Sequence, residues 1–322
     1  MNAGAPGRAA RPWLDKPHAV RPTRDLVYGQ GRVDVGDPAR TRWRELRLDL
    51  YEPADDPGSG PRPALLMAFG GAFHRGSKED DAVADGEHRN TSVAQYCHEF
   101  ARRGYLACAI DYRLVQEDPD PGSTPVVASA ETIQRARIDV VRTILGLPPA
   151  DARMLWQGIE AASDDMACAF RFVQAHAARW RVDPARIAIG GFSAGARTAL
   201  NAAYGEGVAA AAVVALSGHL DPADLARHLT PNRQRPPVLL ISGEHDLDYV
   251  RLQAPIMAHQ FAAAGVACER LAVGQAGHFY PAQALAGAAD GPCCSVEEAI
   301  ARFLHRRLQG PGSDPSAAAT PA

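Results

Sequence analysis

The sequence predicts one α/β domain with a mostly parallel central sheet and helices on both faces. Seven short apolar segments, rich in Val, Ile and Leu, alternate with stretches in which apolar residues recur at intervals of three and four. Strands of this composition that are separated by helices are typical of a parallel sheet covered on both sides. The chain has 322 residues, of which 46% are hydrophobic, so it can bury a core of ordinary size.

The predicted strands and helices follow one another along the chain. Strands are predicted at 45–51, 63–69, 105–111, 186–190, 211–218, 237–243 and 268–273. Helices are predicted at 92–103, 164–180, 194–204, 250–265 and 295–308. Antiparallel hairpins are expected only near the start of the chain.

The segment 114–163, which begins in the sequence Asp-Tyr-Arg-Leu, is far longer than a strand-to-helix connection, for which about two to six residues are usual. It contains a helical pattern over 131–147 and a second apolar piece at 154–156. Two interpretations stay open. The insertion is either a cap over a functional site or an extra helical pair that packs on the edge of the domain.

Both ends of the chain are expected to lack fixed structure. Residues 1–24 are rich in Pro, Ala, Gly and Arg, and residues 310–322 have the composition of a solvated tail. The folded domain is therefore predicted to span residues 25–309, with the helical insertion inside it.

Charge and composition argue against several classes of partner. The formal net charge is only −3, and no long basic run marks a nucleic-acid partner. No stretch reaches the roughly 18 uninterrupted apolar residues that a membrane span needs. The first residues lack the apolar segment of a secretory signal, so we expect a cytoplasmic protein.

The six cysteines are too sparse for a disulfide scaffold and lack metal-finger spacing. Cys97, Cys108 and Cys168 lie in apolar patterns and are expected to be buried free thiols. The adjacent Cys293 and Cys294 could form a strained pair or bind a metal with a neighbour, but two ordinary loop thiols are the favoured interpretation.

One pentapeptide carries the strongest chemical signal. Gly191-Phe192-Ser193-Ala194-Gly195 follows a predicted strand and opens a small-residue helix. Its glycines permit a tight turn that holds the serine in a strained conformation with its hydroxyl above the sheet. The helix that begins at Ala194 directs free N–H groups to the same point. The pattern predicts a nucleophilic serine.

A serine hydroxyl needs a base to take its proton, and the base needs an orienting carboxylate. His278 lies in a glycine-containing loop after the last predicted strand, where it can reach the ends of the strands. His219 and His245 also follow strands, but either would break the expected order of serine, acid and histidine; His219 is expected to line the pocket. Asp246 is the first choice for the acid and Asp248 the second, because both closely follow a strand.

The reaction also needs N–H donors for the oxyanion. The strand at 63–69 leads into the small-residue loop Phe69-Gly70-Gly71-Ala72-Phe73. The predicted donors are the backbone amides of Gly71, Ala72 and Ala194.

Together these segments resemble the α/β-hydrolase fold and, within it, the carboxylesterase and hormone-sensitive-lipase-like esterases. The resemblance runs from about residue 28 to residue 308 and is carried by LDLYEP, FGGAFHRGS, DYRL, DPARIAIGGFSAGA, GEHD and GHF. The resemblance implies that Ser193 is the nucleophile, Asp246 the acid and His278 the base. It also implies that the oxyanion binds to Gly71, Ala72 and Ala194.

Three positions depart from the family pattern. Phe69 replaces the usual histidine of the oxyanion loop, Ala72 replaces the third glycine, and Phe192 replaces an acidic residue that often precedes the serine in the hormone-sensitive-lipase branch. These departures weaken the subfamily assignment rather than the triad, because the oxyanion donors are backbone groups.

The predicted activity is hydrolysis of a small-molecule ester through an acyl-enzyme, with no metal or organic cofactor. Apolar residues near the serine favour a neutral acyl chain of short to medium length. The residues expected to line the pocket are Phe69, Phe73, Phe192, His219 and Trp156. Acyl transfer or amide cleavage by the same triad, a non-catalytic binding protein of this fold, and a homodimer all stay open.

Overall fold

A computed structural model describes residues 11–55, 60–85, 88–230, 235–288 and 291–308. The strands are β1 (Val20–Val33), β2 (Arg42–Pro53), β3 (Arg62–Ala68), β4 (Ala84–Asp85), β5 (His88–Arg89), β6 (Leu106–Ile110), β7 (Val182–Phe192), β8 (Ala212–Leu216), β9 (Val238–Gly243), β10 (Cys268–Val273), β11 (Leu285–Gly287) and β12 (Cys294–Ser295). The helices are α1 (Val93–Ala101), α2 (Ala136–Ile144), α3 (Ala152–Ala175), α4 (Ala194–Leu200), α5 (Pro222–His228), α6 (Asp248–Ala263) and α7 (Val296–Leu308).

Within the described ranges, ten strands form one mixed sheet in the order β1-β2-β6-β3-β7-β8-β9-β10-β11-β12. The six strands from β6 to β10 in this order are parallel, and the two edges are antiparallel. Every residue of β3, β6, β8 and β9 is buried, as expected of strands with both faces covered. The predicted mostly parallel sheet is confirmed. The seven predicted strands all form, whereas the sequence patterns missed β1, β4, β5, β11, β12 and α5.

Ordered structure begins earlier than the composition predicts. β1 pairs with β2 from Val20, opposite Pro53, to Val33. These pairings satisfy the backbone polar groups of the segment and hold it extended. A single turn of 3-10 helix at Pro12–Leu14 precedes the strand. The expectation that residues 1–24 lack fixed structure is therefore wrong for residues 11–24, while the predicted tail at 310–322 lies outside the described residues.

The insertion after Asp-Tyr-Arg-Leu divides into two parts with different positions. α3 runs unbroken from Ala152, so the piece at 154–156 and the helix predicted at 164–180 are one helix. The Asp151 carboxylate accepts from the Met154 N–H at 2.7 Å and caps its first turn. α3 buries most of its side chains in the core. α2 instead contributes side chains to the site described below.

Two further sequence expectations concern thiols and membrane spans. All six cysteines are free, including Cys293 and Cys294. Burial raises the pKa of the Cys97 and Cys108 thiols, which keeps them protonated and unreactive. No helix within the described ranges combines the length and the apolar composition that a membrane crossing requires.

Candidate active site

Ser193 occupies the sharp turn between β7 and α4. Its backbone is left-handed, with φ 54° and ψ −114°, a strained conformation for a residue with a side chain. A Cβ on Gly195 would lie 2.0 Å from the Ala68 carbonyl oxygen, and one on Gly191 would lie 2.4 Å from the Gly195 carbonyl carbon. The turn is therefore tight enough that only glycine fits at positions 191 and 195.

The structure joins Ser193, His278 and Asp246 in one series of hydrogen bonds. The Nε2 atom of His278 lies 2.9 Å from Ser193 Oγ, and its Nδ1 atom lies 2.7 Å from Asp246 Oδ1. Asp246 follows β9 directly, and His278 lies in the loop after β10. All three predicted residues therefore meet at the carboxyl ends of parallel strands.

Three further donors hold the Asp246 carboxylate. Its Oδ2 accepts from the Ser217 hydroxyl at 2.6 Å and from the Gly243 N–H at 3.1 Å. Its Oδ1 accepts from the Leu247 N–H at 2.8 Å. The alternative acid, Asp248, has a side chain that is 88% exposed and pairs with Arg251 instead.

The other histidines considered from sequence lie apart from this series. His245 is exposed. His219 is 8% exposed and lines a cavity beside Ser193. The structure therefore places His278, and neither of the two alternatives, between the serine and the acid.

The loop after β3 lies directly against the serine turn. A Cβ on Gly70 would lie 3.3 Å from the Ser193 Cβ atom. Gly71, Ala72 and Phe73 all have positive φ, at 123°, 56° and 61°. For the two residues with side chains this geometry costs roughly 1–3 kcal/mol each. Among the described residues, no acceptor takes the N–H groups of Gly71, Ala72 or Ala194.

Two residues that the sequence patterns missed hold this loop in its strained shape. Buried Asp81 accepts from the Gly70 N–H at 3.0 Å and from the Val93 N–H of α1 at 2.9 Å. Burial raises the pKa of Asp81. The ring of His74 contacts the Ala72 carbonyl oxygen at 2.7 Å through Nδ1, and burial lowers its pKa. A neutral ring that donates from Nδ1 fits this contact.

His74 also connects the loop to α2. Its Nε2 atom lies 2.9 Å from the Arg142 guanidinium, which can only donate. The neutral tautomer with the proton on Nδ1 satisfies both contacts at once. The sequence feature that could have identified His74 as a residue that supports the loop is its position immediately after the predicted oxyanion loop.

Two small cavities flank Ser193. The first, which we name the His278 cavity, has a volume of about 20 Å³ and is lined by Gly70, Gly71, Arg75, Asp81, Phe192 and His278, among others. The second, the Arg197 cavity, has a volume of about 30 Å³ and is lined by Ala72, Phe73, Arg137, Arg197, His219 and Tyr249, among others. Arg137, on α2, lines both. Side chains of α2 therefore line both cavities, whereas α3 packs in the core.

Three of the five residues expected to line the pocket do so, namely Phe73, Phe192 and His219. Phe69 does not: it is fully buried, and its ring stacks on Tyr112 at a centroid distance of 4.2 Å. Trp156 is likewise absent from the lining of both cavities, because it lies on the core-packed helix α3.

The described residues contain one acidic cluster with the spacing of a cation site, formed by Asp25, Asp49 and Glu79. The Lys78 ammonium lies 2.9 Å from both Asp25 Oδ1 and Asp49 Oδ1. The lysine thus supplies the positive charge that these carboxylates require.

Comparisons with known proteins add to this geometry. The family model described as BD-FAE, an α/β-hydrolase-fold esterase family, matches residues 156–221, which include the turn at Ser193. Esterase 2 of the planctomycete Thermogutta terrifontis is similar in structure: its native form matches 81% of this chain and 83% of its own, at 21% identity and a TM-score of 0.50. Its propionate-bound form matches 81% of this chain and 85% of its own, and its form phosphorylated by paraoxon matches 81% of this chain and 84% of its own. Both have the same identity and TM-score as the native form. The search of curated proteins found no match. The structural likeness confirms the α/β-hydrolase fold, and the family model agrees with the resemblance to esterases of that fold.

Proposed function

From the α/β-hydrolase fold of this chain we propose that it is a serine ester hydrolase. The observation that carries the proposal is the unbroken contact from Asp246 through His278 to Ser193, at 2.7 Å and 2.9 Å. A serine, an imidazole and a carboxylate in this order form a proton path that turns a weak nucleophile into a strong one. The match to an esterase family model over the segment that contains the serine supports the same conclusion.

In the first half of the proposed reaction, the Ser193 oxygen attacks the ester carbonyl while His278 Nε2 takes its proton. The resulting oxyanion accepts from the amides of Gly71, Ala72 and Ala194, which have no other acceptor among the described residues. Loss of one such donor typically costs about 3–4 kcal/mol of transition-state stabilisation. His278 then returns the proton to the leaving alcohol, and the acyl group remains on the serine.

In the second half, water replaces the alcohol. His278 takes a proton from the water as it attacks the acyl-enzyme, and the acid product leaves when Ser193 recovers its hydrogen. The Asp246 carboxylate stabilises the imidazolium at each step and holds the ring with Nε2 towards the serine. No step requires a group beyond these side chains and amides.

The size of the two cavities favours esters of short acids. Each cavity has room for about one ordered water molecule, so a long acyl chain needs α2 to move. The Thermogutta terrifontis esterase 2 was obtained in a propionate-bound form, so that similar protein binds a short acid. We therefore favour the short end of the range that the sequence predicts.

The test combines labelling and turnover. A fluorophosphonate probe is expected to label wild-type protein at Ser193, as identified by mass spectrometry, and to leave Ser193→Ala unlabelled. A panel of p-nitrophenyl esters from acetate to palmitate is expected to show the highest kcat/KM among the shortest members. Absence of both labelling and hydrolysis in folded protein would refute the proposed function, and equal rates along the panel would refute the chain-length argument.

A further inference from the structure

The Arg197 cavity is lined by a buried guanidinium whose N–H groups are not all hydrogen-bonded among the described residues. Arg197 is 4% exposed, and its ion pair with Asp224 measures 3.3 Å. The other oxygen of Asp224 already accepts from the Ala128 N–H at 2.6 Å. The Nε atom of Arg197 has no acceptor among the described residues, and burial lowers its pKa. A buried N–H group without an acceptor costs free energy, and an acceptor supplied by a ligand would remove that cost.

A second unpartnered polar group lines the same cavity. His219 is buried, and its Nε2 atom has no hydrogen-bond partner among the described residues. Its ring lies 4.7 Å from the ring of Tyr249, which also lines the cavity. Burial, followed by the nearby charge of Arg197, lowers the pKa of His219, so the ring is neutral and can offer one N–H.

Two further arginines increase the positive charge around Ser193. Arg137 has no ion pair with a carboxylate in the described part of the chain; its guanidinium lies 5.4 Å from the centre of the Phe279 ring. Arg75 lines the neighbouring cavity, and its Nε atom also lacks a partner among the described residues. Burial and then the charge of Arg137 lower its pKa. Asp81, the acid in that cavity, already accepts from two backbone amides.

The direction of the proposed reaction assigns one half of the ester to each cavity. His278 must protonate the leaving alcohol, so the alcohol lies on the side of its ring, in the cavity that His278 lines. The acyl group then extends into the other cavity, past Ala72 and Ala194, towards Arg197 and His219. Arg197 and His219 are therefore on the acyl side, whereas Arg75 is on the alcohol side. Because the Arg197 cavity has room for about one water molecule, a four-carbon acyl group also requires α2 to move.

We propose that the acyl half of the substrate ends in a carboxylate, which binds between Arg197, Arg137 and His219. The substrate class is the half-esters of short dicarboxylic acids. This inference rests on the proposed esterase function, and it replaces the neutral acyl chain that the aromatic residues near the serine suggest. A guanidinium can bind a carboxylate through two N–H groups, and both unpartnered side chains would then be satisfied.

The test compares three esters with the same alcohol and acyl chains of the same carbon count. Monoethyl succinate carries the carboxylate, ethyl succinamate carries a neutral amide of the same shape, and ethyl butyrate is apolar. Since a hydrogen bond to a charged group contributes about 1.5–3 kcal/mol, kcat/KM for monoethyl succinate is expected to exceed that for ethyl succinamate about tenfold or more. Hydrolysis of ethyl butyrate reports separately on the esterase function.

Variants identify the residues responsible. Arg197→Gln and Arg137→Gln are each expected to lower the ratio of succinate to succinamate turnover about tenfold. Arg135→Gln, at the start of the same helix as Arg137 but outside both cavities, is the control and is expected to keep the wild-type ratio. If Arg197→Gln fails to fold because Asp224 loses its partner, Arg137→Gln and its control still decide the question.

The measurements distinguish a failure of the carboxylate proposal from a failure of the esterase function. A ratio near one in wild-type protein that hydrolyses ethyl butyrate would overturn the carboxylate proposal and leave the esterase function intact. If turnover of all three is too slow to measure, protection of Ser193 from a fluorophosphonate by monoethyl succinate is the readout. The proposal is supported if monoethyl succinate protects Ser193 and ethyl succinamate does not. It is overturned if the two esters protect equally or if neither protects. Loss of labelling as well would instead refute the esterase function.

Discussion

Replacement of Asp246 by Asn removes one charge and changes one acceptor atom into a donor. The carboxylate accepts from His278 and Leu247 on one oxygen, and from Ser217 and Gly243 on the other. An amide has only one oxygen, so its NH₂ group must face a backbone N–H in either orientation.

Each orientation has its own cost. With the NH₂ group towards Gly243, the imidazole keeps its tautomer but loses the negative charge that stabilises its protonated form. With the NH₂ group towards His278, the ring must carry its proton on Nε2 and can no longer accept one from Ser193. Both orientations leave one backbone N–H without an acceptor, which lowers the free energy of unfolding by roughly 1–3 kcal/mol. Turnover is expected to fall about 10⁴-fold, as for comparable changes in other serine triads.

Asp248→Asn is the matched control, because that carboxylate is two residues away and 88% exposed. It is expected to change the free energy of unfolding by less than about 0.5 kcal/mol and to leave turnover unchanged. The assays are p-nitrophenyl acetate hydrolysis and urea unfolding of both variants. Near-normal kcat in Asp246→Asn, or a severe loss in Asp248→Asn, would show that the acid has been misassigned.

Three further predictions concern the serine turn and the loop beside it. Ser193→Ala is expected to lower kcat by several orders of magnitude with no loss of stability; substantial residual turnover would point to another nucleophile. Gly195→Ala is expected to destabilise the fold by about 1–3 kcal/mol or more in urea unfolding, because its Cβ would lie 2.0 Å from the Ala68 carbonyl oxygen. Gly274→Ala, which has open space around the new Cβ, is the control, and equal effects would contradict the packing argument. Burial lowers the pKa of His74, so its native form is neutral and its stabilising contribution is lost as pH falls below the unfolded value of about 6.5. The stability difference between wild type and His74→Gln, measured by urea unfolding at pH 7.5 and 5.5, should therefore shrink at the lower pH, and a constant difference would refute the assignment of a neutral ring.

Most of the fold follows from local patterns. The seven predicted strands are runs of apolar residues, and burial on both faces of a sheet requires that composition. The misjudged regions are those in which long-range pairing overrides composition. β1 contains proline and several arginines, yet its pairing with β2 orders it from Val20 onwards. α3 unites two patterns that the sequence separates, because its buried face packs in the core along most of its length.

The site divides in the same way. The sequence by itself determined the turn at Ser193, because glycines at 191 and 195 predict a tight turn whatever residues pack against it. It also determined which loops carry the histidine and the acid. Only the tertiary structure decided that Asp246 rather than Asp248 contacts His278, and that Arg137 and Arg197, from separate helices, line one cavity. Electrostatic and hydrogen-bond contacts depend on distances in space, and residues far apart in the chain acquire those distances only when the sheet and its helices assemble.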